Sequence, residues 1–182
     1  MGAEYHFVTE WRVTGTIDEV KQVLGDASSL PTWWPSVYLS VLQRDEGAPD
    51  GVGRIVDLHT KGWLPYTLRW TFRITEPITD AGFALAATGD LEGTGRWSFE
   101  QEGQEVLIGY DWRVAATKPL LRRLSWLLRP AFSANHHWAM ARGEESLQLE
   151  IRRRRALATG SPEQIDPPPP PTFRLFLRLR GY

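Results

Sequence analysis

Apolar and polar positions alternate with a period of two through most of the first 115 residues, and the period becomes helical after that. Tyr5, Phe7, Thr9, Trp11 and Val13 share one parity, and His6, Val8, Glu10 and Arg12 the other, which predicts a half-buried strand over 5–13. Thr16 or Asp18 is placed to cap a short helix through Leu24, with Val20, Val23 and Leu24 as its apolar stripe. In Leu30-Pro31-Thr32-Trp33-Trp34-Pro35 two prolines bracket two tryptophans, which fits a second short helical turn and a rigid corner. Six more strands are expected, over 37–44, 53–60, 66–75, 82–88, 93–101 and 105–115. Short Gly, Pro and Asp connections separate them, so they should form an antiparallel meander. The Gly-rich run Gly89–Gly95 reads as a turn rather than a phosphate loop.

The last hairpin registers itself. Gly103-Gln104 suits a two-residue II′ turn, which sets Phe99 opposite Ile108, Trp97 opposite Tyr110 and Gly95 opposite Trp112. The other face then sets Arg96 against Asp111 as a cross-strand ion pair. From Lys118 a leucine stripe with Arg122, Arg123 and Arg129 opposite predicts a helix that Pro130 kinks or breaks. A longer helix is expected over 131–155, presenting Phe132, His136, Met140, Gly143, Leu147 and Ile151 on one face. Gly143 in mid-helix implies close approach of the sheet. The pattern is α+β: a curved antiparallel sheet of seven strands around a long C-terminal helix, with two short helices after the first strand. Residues 1–155 form the expected domain. Residues 156–182 carry a proline run (167–171) and a Phe/Leu/Arg-rich end, and read as a flexible tail.

Composition narrows the function classes. A formal net charge of −1 gives no global attraction to nucleic acid, so no nucleic-acid partner is expected. The absence of cysteine removes disulfides, thiolate metal sites and cysteine nucleophiles. His136 and His137 diverge on a helix, and His6 and His59 lie on separate strands, so no metal site is expected. There is no phosphate loop, GxSxG elbow or dinucleotide fingerprint, and no cofactor is expected. No signal peptide or membrane span is read from the chain, which points to the cytoplasm. The unusual number is nine tryptophans in 182 residues, enough to build a thick core or a cavity wall.

Four places carry a resemblance: the opening Thr14-Gly15-Thr16-Ile17-Asp18-Glu19-Val20, the Leu30–Pro35 corner, the strand Gly93–Phe99, and Asn135-His136-His137-Trp138-Ala139-Met140-Ala141-Arg142-Gly143-Glu144. Over about residues 4–155 they make the chain similar to the START-like (SRPBCC) superfamily, in its polyketide cyclase/dehydrase-like branch. The resemblance implies a helix-grip fold enclosing a pocket for a hydrophobic small molecule such as a lipid, sterol, polyketide or aromatic metabolite. It does not choose among carriers, sensors and cyclases.

Trp70, Phe72, Trp97, Tyr110 and Trp112 are the expected pocket wall, with Phe132, Asn135, His136 and Met140 contributed by the helix. Solid core packing is the alternative for the same aromatics. If the chain is an enzyme, His136 is the candidate general acid or base and Tyr110 or Asn135 the group that polarises a carbonyl. Otherwise these side chains are polar handles for a bound ligand. A third reading takes Leu120–Leu128 with its arginines, and the terminal segment, as a weak membrane-surface or partner-docking module. A monomer or a homodimer is compatible with all three.

Overall fold

The computed structural model of the protein describes residues 4–117 and 119–172, those of 119–129 by their backbone alone. Strand β1 (Glu4–Thr14) leads into helix α1 (Ile17–Leu24), a single 3-10 turn, and the short helix α2 (Leu30–Trp33). Then come β2 (Tyr38–Asp45), β3 (Ile55–Lys61), β4 (Thr67–Thr79), β5 (Gly82–Gly89), β6 (Leu91–Glu102), β7 (Glu105–Ala116) and the helix α3 (Pro119–Thr159). The strands form one antiparallel seven-stranded sheet in the order β1-β7-β6-β5-β4-β3-β2.

Local chemistry explains the elements. Thr16 caps α1 in a reciprocal capping box: its side chain accepts from the Glu19 N–H, and the Glu19 carboxylate accepts from the Thr16 N–H. The same carboxylate takes a bidentate bond from Arg155, which ties the end of α3 to the start of α1 and holds Glu19 down at about 2. Gly103 has φ +63, as the first position of a II′ turn requires. The β6–β7 register is the one this turn dictates, with Phe99 opposite Ile108, Trp97 opposite Tyr110 and Gly95 opposite Trp112. The Gly89–Gly95 run contracts to a connection at Asp90, with Gly93 and Gly95 inside β6.

The expected Arg96–Asp111 pair does not form. The two residues are in register, yet Arg96 pairs with Glu76 and Asp111 bonds His6 and Arg113. Ala84 lies between Arg96 and Glu76 in the ladder, and its small side chain lets the guanidinium reach across. These pairs are on the exposed face and contribute little.

Helix α3 departs from expectation at Pro130. Instead of two helices there is one element from Pro119 to Thr159 with Pro130 inside it. Its inner face is the expected one: Met140, Leu147 and Ile151 are buried, and Gly143 lies against the rings of Trp34 and Trp11. Its flank also closes a sheet edge. The Arg12 N–H donates to Glu144 and the Thr14 N–H to Gln148, at 2.8 and 2.7 Å, and Gln148 donates back to the Thr14 carbonyl. Two residues along a strand and four along a helix both advance about 6–7 Å, so an i,i+4 pair of side chains can stand in for the missing neighbour of β1.

Residues 156–159 belong to α3, and the proline segment lies along the domain. Arg152 pairs with Glu163, and the Thr172 hydroxyl donates to the Gly62 carbonyl at 3.4 Å. The expected amphipathic stripe 120–128 and the terminal residues 173–182 lie outside the described side chains.

Candidate functional site

A cavity of about 170 Å³ lies between the concave face of the sheet and α3. Beside it Gly143 packs against the rings of Trp34 and Trp11, which holds the helix close to the sheet there. Its floor is built from Trp34, Tyr110, Trp112 and Met140, all buried. Its mouth carries Tyr66, Leu68, Leu91 and Phe132, all half-buried.

Seven of the expected residues meet here: Trp70, Tyr110, Trp112, Phe132, Asn135, His136 and Met140 all line the cavity. Phe72 and Trp97 stand behind the wall. Phe72 packs on Trp70, and Trp97 stacks under Tyr110 with ring centroids 4.0 Å apart, so each fixes a wall residue without facing the space. The Trp70 indole N–H donates to Thr60 at 3.0 Å, which sets the plane of that ring.

Tyr5, Phe7, Trp34 and Tyr38 also line the cavity and were not among the expected site residues. The parity of β1 was the available signal for Tyr5 and Phe7. Trp34 and Tyr38 are brought in by the proline corner, whose path no periodicity encodes. Phe132 is held edge-on between Tyr5 and Tyr66, with centroids at 6.1 and 6.2 Å.

His136 stacks on Phe7 at 4.0 Å and lies 3.5 Å from the Thr9 hydroxyl. Burial, with His137 beside it, pushes its pKa down to about 4, so the ring is neutral at neutral pH. Burial likewise raises Tyr110 well above the usual phenol range. The site therefore presents a neutral imidazole and a protonated phenol in an aromatic box. Both groups offer hydrogen-bonding atoms to the cavity, and neither brings it a charge.

Asn135 has a job already. Its Oδ1 accepts from the N–H groups of Trp63 and Leu64, at 2.8 and 3.2 Å, and so pins the β3–β4 connection to α3 at the rim of the cavity. Replacing Asn135 with Ala leaves both donors without this acceptor. The expected loss is about 1–2 kcal/mol in stability, with faster hydrogen exchange at the Trp63 and Leu64 amides as the local check.

Solved structures share this arrangement of sheet and helix. The Zhui aromatase/cyclase from Streptomyces sp. R1128 superposes with a TM-score of 0.64 at 16% identity, covering 86% of this chain and 98% of that one. This is the START-like fold. A START superfamily protein from Mycobacterium smegmatis matches at TM-score 0.60, 13% identity, and 82% and 98% coverage. A STAR-related lipid transfer protein from Xanthomonas axonopodis matches at 0.52, 15% identity, and 81% and 85% coverage. No family model matches the chain, and no curated protein matches it in sequence. The START-like likeness thus rests on shape: a grip of sheet around helix. Among the described residues no helix is long and apolar enough to cross a membrane.

Proposed function

We propose that this protein binds a compact hydrophobic small molecule, aromatic in character, in the cavity between sheet and helix, as a carrier or sensor. The observation that carries the reading is the aromatic-walled cavity of about 170 Å³. A dry cavity of roughly 150 Å³ is enough to hold a benzene ring, so one or two rings fit here without rearrangement. A longer lipid or an extended polyketide requires the mouth to open.

The test is titration of the protein with 2-naphthol, followed by calorimetry and by quenching of tryptophan fluorescence. Ala139 is partly buried on the cavity wall, and Ala139→Phe fills the space from the helix side. Wild type should bind, and the filled variant, still folded by circular dichroism, should bind at least about tenfold more weakly, a difference of about 1.4 kcal/mol. Failure of wild type to bind 2-naphthol, indole or naphthalene would sink the reading.

A second reading is a cyclase or dehydratase-like enzyme with His136 as acid or base. The aromatase/cyclase likeness favours it, together with the sharing of one cavity by His136 and Tyr110. The neutral state of His136 limits it to a weak base at neutral pH, with Tyr110 as the donor toward a carbonyl. His136→Ala separates the two: binding retained with no turnover to lose speaks for a carrier.

A further inference from the structure

We propose that the β3–β4 connection, residues 62–66, is a docking surface for the headgroup region of an anionic phospholipid bilayer, placed so that the protein meets lipid beside the mouth of its cavity. Docking goes beyond ligand binding and stands without it.

The connection is apolar where a hairpin turn is ordinarily polar. Gly62, Trp63, Leu64, Pro65 and Tyr66 follow one another with no charged or amide side chain among them. Trp63 and Pro65 are exposed and Leu64 and Tyr66 half-buried, so the run stands partly in solvent instead of folding into the core. A run of this kind on a surface marks an interaction site. Trp63 is also the one exposed tryptophan among the described residues; the others are buried or half-buried in the core and the cavity wall.

The backbone of the run suits a place with little water. The Trp63 and Leu64 N–H groups both donate to Asn135, at 2.8 and 3.2 Å, and the Tyr66 N–H donates to the Leu64 carbonyl at 2.8 Å. Pro65 has no N–H to satisfy. Residues 63–66 therefore bring no unpaired amide N–H to the interface, where each would add a desolvation cost. The same bonds hold the connection in one shape, so that Trp63 is presented without a loop having to order on contact.

The partner is set by the chemistry around the indole. The first charged residues on either side of the run are Lys61 and Arg69, both cations. An amphipathic indole flanked by basic side chains is the combination favoured at the membrane–water interface, and the cations select an anionic leaflet. Gly62 and Tyr66, at the two ends of the run, line the cavity. A hydrophobic ligand then passes between cavity and lipid without crossing bulk water. One indole and two cations give weak, reversible attachment, as exchange of a ligand requires.

The test is flotation of the full chain with vesicles of equal parts phosphatidylglycerol and phosphatidylcholine, and with vesicles of phosphatidylcholine alone. Wild type should float with the first and at least about fivefold less with the second. Trp63→Ser, folded by circular dichroism, should lower the fraction bound to the mixed vesicles at least about fivefold. Lys61→Gln combined with Arg69→Gln should remove the preference for the anionic vesicle. Leu157→Ser removes another exposed apolar side chain, roughly 33 Å along α3 from Asn135, and should change nothing. Wild type that floats with neither vesicle would overturn the proposal, and so would flotation that survives Trp63→Ser. Flotation lost when the chain ends at Thr172, and kept in Trp63→Ser, would assign the lipid contact to the terminal segment instead. A wild type that is dimeric and does not float, with Trp63→Ser monomeric, would make the connection a contact with a second copy. Flotation of a protein that binds none of 2-naphthol, indole and naphthalene keeps the docking surface and sinks the cavity reading; naphthol binding without flotation does the reverse.

Discussion

Gly143→Ala should destabilise the protein by about 2 kcal/mol, lowering the midpoint of thermal unfolding by roughly 4–8 °C. This runs against local preference, since alanine in mid-helix is worth about 1 kcal/mol over glycine. The reason is space. A Cβ at 143 would lie 2.3 and 2.6 Å from ring carbons of Trp34 and 2.7 Å from one of Trp11. Both rings are buried, at 3% and 2% exposure, and neither can yield without disturbing the core. Overpacking of this kind costs about 1–3 kcal/mol, occasionally more, and here it exceeds the propensity gain. The exposed Ala141, on the outer side of the same helix, is the control: Ala141→Gly should also destabilise, by about 1 kcal/mol. Thermal and urea unfolding of both variants checks the opposite residue preferences at two neighbouring positions. A stabilised Gly143→Ala protein would mean that α3 does not approach the sheet this closely. Because Trp34 also forms the cavity floor, the alanine variant should bind 2-naphthol more weakly as well.

The second large effect is a dependence of stability on pH carried by His136. Its pKa lies at about 4 in the folded protein against an ordinary 6.5, because burial against Phe7 disfavours the charged ring. Above pH 7 the ring is neutral in both the folded and unfolded states and nothing is lost. As pH falls through 6.5 the unfolded chain takes up the proton first, so stability declines until the folded ring also protonates near 4. At about 1.36 kcal/mol per pKa unit the decline amounts to at most about 3 kcal/mol. Comparison with His136→Gln by urea unfolding at each pH isolates this contribution from the carboxylates, which titrate in both proteins. The variant should gain on wild type steadily between pH 7 and 4 and keep a constant offset above 7. A constant offset throughout would show an imidazole that protonates freely, and would restore it as a candidate acid near neutrality.

Much of the architecture was legible because strands and helices report their buried face in the residue sequence. The alternation over Tyr5, Phe7, Trp11 and Val13 identified the inner face of β1. One glycine, at 103, was enough to register β6 on β7. The same reasoning failed where a side chain had a choice of neighbours. Arg96 was correctly placed opposite Asp111 and still paired with Glu76 from a strand two places away. Pro130 removes one backbone donor, yet α3 runs through it, because one lost bond in the ladder does not by itself end a helix. Within the site, parity could say that Phe72 and Trp97 face inward. It could not say that they would sit one layer behind the wall, since the depth of a cavity depends on how far the sheet bends from the helix.

The sequence by itself therefore determined the order of elements, their inner faces and the glycine where helix meets core, all of which come from local periodicity and sterics. Only the tertiary structure decided that a space remains between sheet and helix, that Asn135 ties down its rim, and that the imidazole inside it is neutral. It also decided that the proline segment returns along α3 to that rim. Each of these depends on distances between residues far apart in the chain. Volume, desolvation and reach are properties of the assembled packing, and no window of the sequence contains them.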